Sequence, residues 1–387
     1  MASSAAVTTE PVPARVLSEV PRQVPYVALG QQFAAESATL LARLERTLAS
    51  GQWVAGPEVG ELESKLAERL GAKACIAVGS GTDALILSLR ALGIGPGDEV
   101  ITAPNSFIAT ASAIVHVGAK PVFADVLPDQ NIDPSQVEAA VTARTRAILP
   151  VHLSGRTAHM PELLEIARRH GLSVVEDAAQ AIDARLQGRA AGTFGDLGCF
   201  SCHPLKNLNA AGDAGFILSN DEALAQRLRR MRSNGLVDRE TALEWGVVSR
   251  LDSVQAAVLL ERLPRLDGVT EARRRNAHAY RRLLADLPQV FLPPCRPEEH
   301  NVFHTFVIQV ERRDELQAFL LKRGIGTAIH YKIPIHLQPA ARSLGYGPGS
   351  FPVAERQAQR ILSLPVHQFL SPEDVEHVAL NIREFFA

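Results

Sequence analysis

The sequence predicts an α/β protein: a mostly parallel, seven-stranded sheet with helices on both faces, followed by a smaller C-terminal α/β domain. From about Cys75 to Asn220, short β-branched runs alternate with stretches of helical spacing, the pattern of a parallel sheet with crossover helices. Several of those runs are apolar on both faces, as strands covered from either side are. The chain has 387 residues, 46% of them hydrophobic, enough to bury one large core and one smaller one.

In chain order, residues 1–25 are rich in Ala, Ser, Pro, Thr and Val and lack the apolar stretch of an export signal, so they read as a flexible lead-in. The seven strand runs are Ala74 to Val78, Glu99 to Thr102, Pro121 to Asp125, Ala147 to Leu153, Leu172 to Asp177, Gly198 to Cys202 and Gly215 to Ser219. Helical spacing covers Asp83 to Leu92, Ser106 to Val117, Met160 to His170 and Ala223 to Ser233, with Gly118 and Gly171 where C-caps belong. A long, Arg-rich helical pattern from Ser253 to Leu284 connects a large domain, 26–265, to a small one, 266–387. The small domain is expected to hold an apolar run at Phe303 to Val310, a helix at Asp314 to Arg323, a Pro-rich loop at Ile333 to Pro339 and a terminal helix near Pro372 to Phe386.

Composition narrows the partners. Lys+Arg 40 against Asp+Glu 42 leaves no basic excess to hold a phosphate backbone, so no nucleic-acid partner is expected. No stretch approaches the roughly 18 apolar residues of a membrane helix, and a cytoplasmic location is expected. Four cysteines in such a chain read as reduced thiols. Cys199-x-x-Cys202-His203 has the spacing of a haem attachment site, but it lies in an apolar strand of a chain with no export signal. No metal is expected.

Three short segments carry the chemistry. Lysine is scarce: besides Lys206 there are only Lys65, Lys73, Lys120, Lys322 and Lys332, while arginine supplies most of the positive charge. Lys206 follows a strand and a Pro-containing turn, and lysine, unlike arginine, can lose its proton to become a nucleophile. Alone, it reads equally as a solvated loop lysine. The apolar run before Glu176 and Asp177 delivers both acids at a strand's C-terminal end, where open α/β sheets bind ligands. An acid there can pair with a cationic ring nitrogen, the pairing that keeps a pyridoxal ring electron-withdrawing; a helix N-cap is the alternative for Asp177. In Gly79-Ser80-Gly81-Thr82-Asp83 a strand ends in small residues and a helix begins at once, which makes either a phosphate site or a plain N-cap.

These segments, with Gly97 to Ile101, Gly192 to Asn207, Gly212-Asp213, Ser249 to Asp252 and His330 to Gln338, resemble the DegT/DnrJ/EryC1/StrS family of sugar aminotransferases from about Val27 to the C-terminus. The resemblance implies an aspartate aminotransferase-like fold, a pyridoxal 5'-phosphate cofactor bonded to Lys206 as a Schiff base, Asp177 on the pyridine nitrogen and Gln180 beside the phenolic oxygen. It places the phosphate at Gly81, Thr82 and Ser201 and stacks Phe107 on the ring. It further implies a homodimer whose active site is completed by the partner subunit, with Ser249 or Arg250 making the cofactor contact from the neighbouring subunit unless that contact is lost; His330, Tyr331 and His336 are candidate substrate contacts, and each reads equally as a packed or surface loop residue. Family members with dehydratase activity carry His where this chain has Lys206.

Two positions depart from the family pattern. Val248 stands where an Asn normally reaches the phosphate from the neighbouring subunit. Ile182-Asp183 replaces His-Gly, and Asp183 is assigned to substrate specificity. The expected reaction moves an amino group from L-glutamate to a keto-sugar, a nucleotide-linked 3-keto-hexose in amino-sugar biosynthesis. A keto-sugar phosphate or keto-cyclitol acceptor, and a non-catalytic cofactor-binding regulator, are the alternatives.

Overall fold

The computed structural model describes residues 22–387. Its central sheet contains all seven expected strands, in the order Ala74–Val78, Gly215–Ser219, Leu197–Ser201, Ser173–Asp177, Thr145–Leu149, Glu99–Thr102, Lys120–Phe123. Gly215–Ser219 runs antiparallel to both neighbours, while the strands from Leu197–Ser201 to Lys120–Phe123 pair in parallel. Parallel pairing needs crossover helices, and these cover both faces, so strand residues such as Ile76, Val100, Ile148 and Val175 are fully buried.

Strand ends differ from expectation where backbone donors run out. The run expected to reach Leu153 stops at Leu149, because Pro150 has no N–H for the ladder. Its carbonyl still accepts from Asp177 N at 2.9 Å, and His152 N returns a bond to Asp177 O at 3.0 Å. The single helix expected over Ser253 to Leu284 is two, Ser253–Arg262 and Leu266–Leu284, joined by a 3-10 turn at Leu263–Arg265. Pro264 sits in that turn, where its ring excludes the regular helical bond. Two helices precede the sheet: Leu29–Ala49, which was not anticipated, and Pro57–Leu70, the surface-type helix expected near Lys65 and Lys73. The second buries Val59, Leu62, Leu66 and Leu70 at spacings of one helical face, starts on a proline and stops at Gly71 in the left-handed region, φ 71°.

A second, antiparallel sheet joins Val290–Phe291, Phe306–Val310 and Ile361–Leu364. Its core, with Tyr280, Leu316, Leu320, Val378 and Ile382, is fed by helices Leu266–Leu284, Arg313–Lys322 and Pro372–Phe386. Val24 belongs to this core and bridges Ile325 in parallel, and Arg22 pairs with Asp374 at 2.6 Å. Residues 22–25 are therefore docked rather than part of a flexible lead-in; the remainder of that segment, 1–21, lies outside the described residues. Ile335, Phe351 and Ala354 pack instead on the large sheet's edge, beside Ile101 and Phe123. Among the described residues no helix is long and apolar enough to cross a membrane.

Candidate active site

Side chains alternate across a strand, so Glu176 and Asp177 leave Ser173–Asp177 on opposite faces. Glu176 is consumed behind the sheet, accepting from Gly192 N at 2.7 Å and Gly195 N at 2.6 Å and pairing with His152 Nε2 at 2.8 Å. His152 Nδ1 accepts from Ala158 N at 3.0 Å, which leaves the ring proton on Nε2 to be donated to Glu176. Asp177 opens on the other side. No helix starts after it, so it is not an N-cap. Its Oδ2 accepts from Thr110 Oγ at 2.7 Å and its Oδ1 from Ala179 N at 3.2 Å. Burial raises its carboxyl above the ordinary range, against the pull of those two donors and the charge of Lys206.

The adjacent parallel strand, Leu197–Ser201, pairs Cys199 with Asp177 and runs into the turn that carries Lys206. Lys206 N donates to His203 O at 2.8 Å, which closes that turn. Burial pushes the Lys206 amine down from 10.5 to about 8, although the charge of Asp177 acts the other way. Lys206 and Asp177 line one cavity of about 360 Å3.

At one end of that cavity helix Gly81–Ala91 begins, capped by Ser80, whose Oγ accepts from Asp83 N at 3.0 Å. The cap leaves the first-turn N–H groups of Gly81 and Thr82 without helical acceptors. A Cβ on Gly81 would lie 2.7 Å from Ser201 Cβ, so only glycine lets this helix start approach the strand end. Ser80 thus fulfils the N-cap reading, while Gly81, Thr82 and Ser201 face the cavity.

Phe107, half exposed, lines the cavity with its ring 5.6 Å from that of Tyr331. Gln180 is held by Ser154 N, which donates to its Oε1 at 2.7 Å, and its Nε2 donates to Tyr331 Oη at 3.3 Å. Burial raises the Tyr331 phenol. His330 stacks on Tyr26, 5.8 Å between centroids, and burial pushes its imidazole down to about 4, so it is neutral.

Three expected site residues are elsewhere. Ser249 does not line the cavity: its hydroxyl donates to Asp83 Oδ2 at 2.9 Å and accepts from Gly79 N at 3.1 Å, tying down the segment ahead of the helix start. His336 is buried against Phe351, with Nε2 paired to Glu355 at 3.0 Å, and is likewise outside the cavity. Asp183 does not line this cavity; at φ 65° it takes a two-pronged ion pair from Arg69, which also holds Asp267. The cavity also holds Tyr26, Thr110, Arg273 and His304, none of which the sequence singled out. Thr110 had a faint signal, lying four residues after Ser106, to whose hydroxyl it is bonded at 2.7 Å. The others come from distant segments and had none.

The comparisons with known proteins agree in kind. The family model of the DegT/DnrJ/EryC1/StrS aminotransferases matches residues 35–383. The chain is 44% identical to the pleiotropic regulatory protein of Geobacillus stearothermophilus, over 94% of this chain and 98% of that protein. It is 42% identical to the dTDP-3-amino-3,4,6-trideoxy-alpha-D-glucose transaminase of Streptomyces venezuelae, over 95% and 97%. Among solved structures, S. venezuelae DesV in complex with a ketimine intermediate superposes with a TM-score of 0.92 at 42% identity, covering 95% of this chain and 99% of that one. NtdA of Bacillus subtilis with bound cofactor PMP superposes at 0.86 and 32% identity, covering 94% and 86%. With a matched family model over most of its length and relatives above 40% identity, the chain belongs to the DegT/DnrJ/EryC1/StrS aminotransferase family.

Proposed function

We propose that the protein is a pyridoxal-phosphate-dependent sugar aminotransferase that takes an amino group from L-glutamate and transfers it to a nucleotide-linked 3-keto-hexose. The observation that carries this reading is the pairing of a lysine whose amine is pushed down to about 8 with a buried carboxylate across one cavity. The residues fit the cofactor. Asp177 is buried with only neutral donors, Thr110 and Ala179, on its oxygens, a setting that calls for a cationic ring nitrogen. The Gly81–Thr82 helix start, with Ser201 against it, suits a phosphate.

When bound, pyridoxal phosphate supplies an aldehyde that condenses with amines and a ring that withdraws electrons from the carbon beside the bonded nitrogen. With its pKa at about 8, roughly a quarter of the Lys206 amine is free base at pH 7.5, against about a thousandth for an ordinary lysine. Lys206 would hold the aldehyde carbon and, when its amine is free, would take the proton from the donor Cα as general base and return it as acid. Asp177 would hold the ring nitrogen protonated, with Gln180 beside the phenolic oxygen and Phe107 over the ring face. His330 and Tyr331 remain as acceptor contacts, His336 does not, and Ser249 or Arg250 is kept for the phosphate contact from the neighbouring subunit.

The 3-keto acceptor is supported by the name of the Streptomyces venezuelae relative, a 3-amino sugar transaminase. Trp245, 90% exposed, with exposed Leu243 and Val248, leaves an apolar face that supports a homodimer. Val248 has no amide to offer across that interface. We assign the small domain to 266–387 and the protein to the cytoplasm.

The test is to incubate purified protein with L-glutamate and a panel of nucleotide-linked 3-keto and 4-keto sugars and follow products by mass. The reading predicts amino-sugar from a 3-keto substrate; no product from any would contradict it. The name of the Geobacillus relative favours a second reading, a regulator that binds the cofactor without turnover. A protein that holds the cofactor yet fails to pass L-glutamate's amino group to it would be that regulator.

A further inference from the structure

Arg273, on helix Leu266–Leu284, has no task in the scheme above. Three arginines are buried among the described residues: Arg156, Arg273 and Arg313. Arg156 pairs with Glu299 at 3.3 Å and Arg313 with Asp314 at 2.7 Å. Arg273 pairs with no carboxylate among the described residues. Its Nη1 donates to the carbonyls of Phe303 at 3.3 Å and His304 at 3.1 Å, and its Nε is buried with no acceptor among the described residues. An unpaired buried guanidinium is costly, and the cost is relieved by an anion.

Arg273 lines the same cavity as Lys206. The cavity's two carboxylates, Asp177 and Asp213, form no ion pair with it, and Tyr26, His304 and His330 in the same lining carry no negative charge. Burial pushes the Tyr26 phenol up to about 12 and the His330 imidazole down to about 4, and it lowers His304 well below the ordinary histidine range. Arg273 itself, pushed down to about 10 by burial, stays protonated at neutral pH. The helix start at Gly81, Thr82 and Ser201 already offers a separate place for phosphate. A guanidinium at most 8% exposed, with two carbonyls already on one nitrogen, has room for a small planar anion rather than a hydrated diphosphate.

We infer that Arg273 receives a carboxylate of the amino-acid donor and so selects the donor; this rests on the transamination reading. The test compares wild type, Arg273→Gln and Arg273→Lys with L-glutamate, L-glutamine and L-isoglutamine as donors, following loss of the cofactor's absorption band. Arg273→Gln is expected to raise the half-saturating glutamate concentration at least about 30-fold, with Arg273→Lys recovering part of the loss. A parallel loss with glutamine and not isoglutamine assigns the α-carboxylate; the reverse assigns the side-chain carboxylate. An unchanged half-saturation for all three donors, or an equal loss for all three, overturns the inference.

Binding of glutarate to the holoenzyme, measured by calorimetry, decides the matter independently of turnover. Binding weakened in Arg273→Gln and partly regained in Arg273→Lys supports the inference even if wild type transfers no amino group, an outcome that would refute transamination alone. Equal binding by all three proteins overturns it. Should Arg273→Gln fail to fold, the Arg273→Lys data decide: weaker glutarate binding at an unchanged Tm supports the inference, and unchanged binding overturns it.

Discussion

Thr110 and Asp177 come from helix Ile108–His116 and strand Ser173–Asp177 and meet at 2.7 Å, hydroxyl to carboxylate, at the floor of the cavity. Ser106 bonds the same hydroxyl at 2.7 Å, so the Asp177 carboxylate is oriented by a chain of two side chains rather than by one. Burial works to protonate Asp177, and the Thr110 hydrogen bond works to keep it charged.

Thr110→Val should therefore loosen the cofactor without removing any group assigned to the chemistry. A hydrogen bond to a charged group contributes about 1.5–3 kcal/mol, so cofactor affinity is expected to fall on the order of 10- to 100-fold. Equilibrium dialysis of the cofactor against wild type and variant measures this. Equal affinity would mean that Thr110 merely packs.

The Lys206 amine predicts a pH dependence. Its protonated form cannot attack an aldehyde, and burial lowers its pKa, so the reactive fraction of apoprotein rises with pH through about 8. The rate of cofactor attachment to apoprotein, trapped with borohydride at each pH, should show that midpoint. A midpoint near 10.5, the ordinary lysine value, would show that the amine is solvated.

Asp183→Asn tests whether the departure from the family pattern at this position serves substrate choice or the fold. Asn tolerates the left-handed backbone at 183 but loses the charge that Arg69 grips from two nitrogens. The expected result is a loss of about 1–3 kcal/mol in stability, read as a lower Tm, with half-saturating substrate concentrations unchanged. Altered acceptor preference at an unchanged Tm would return Asp183 to substrate recognition.

The strands were legible because each is a short apolar run bounded by turn residues, and Ala74–Val78, Glu99–Thr102 and Gly215–Ser219 have the ends that their sequences mark. Helix Pro57–Leu70 was equally marked, by Pro57, Gly71 and the spacing of its four buried residues. Lys206, Asp177, Gly81 and Thr82 were legible because strand ends and helix starts concentrate ligand-binding groups. His336 lies outside the cavity for a reason that a short motif does not reveal: the distant carboxylate of Glu355 captures its ring. Arg273 lay beyond reach for the converse reason, since its lack of an acidic partner is visible only once the chain is folded.

The most direct measurement is the absorption spectrum of Lys206→Ala beside wild type, with borohydride reduction followed by peptide mapping of wild type. The account predicts a band near the edge of the visible for wild type, a reduced adduct on Lys206, and neither band nor amino-group transfer from L-glutamate in the variant. A variant that still transfers that amino group, or an adduct mapped to another lysine, would contradict it.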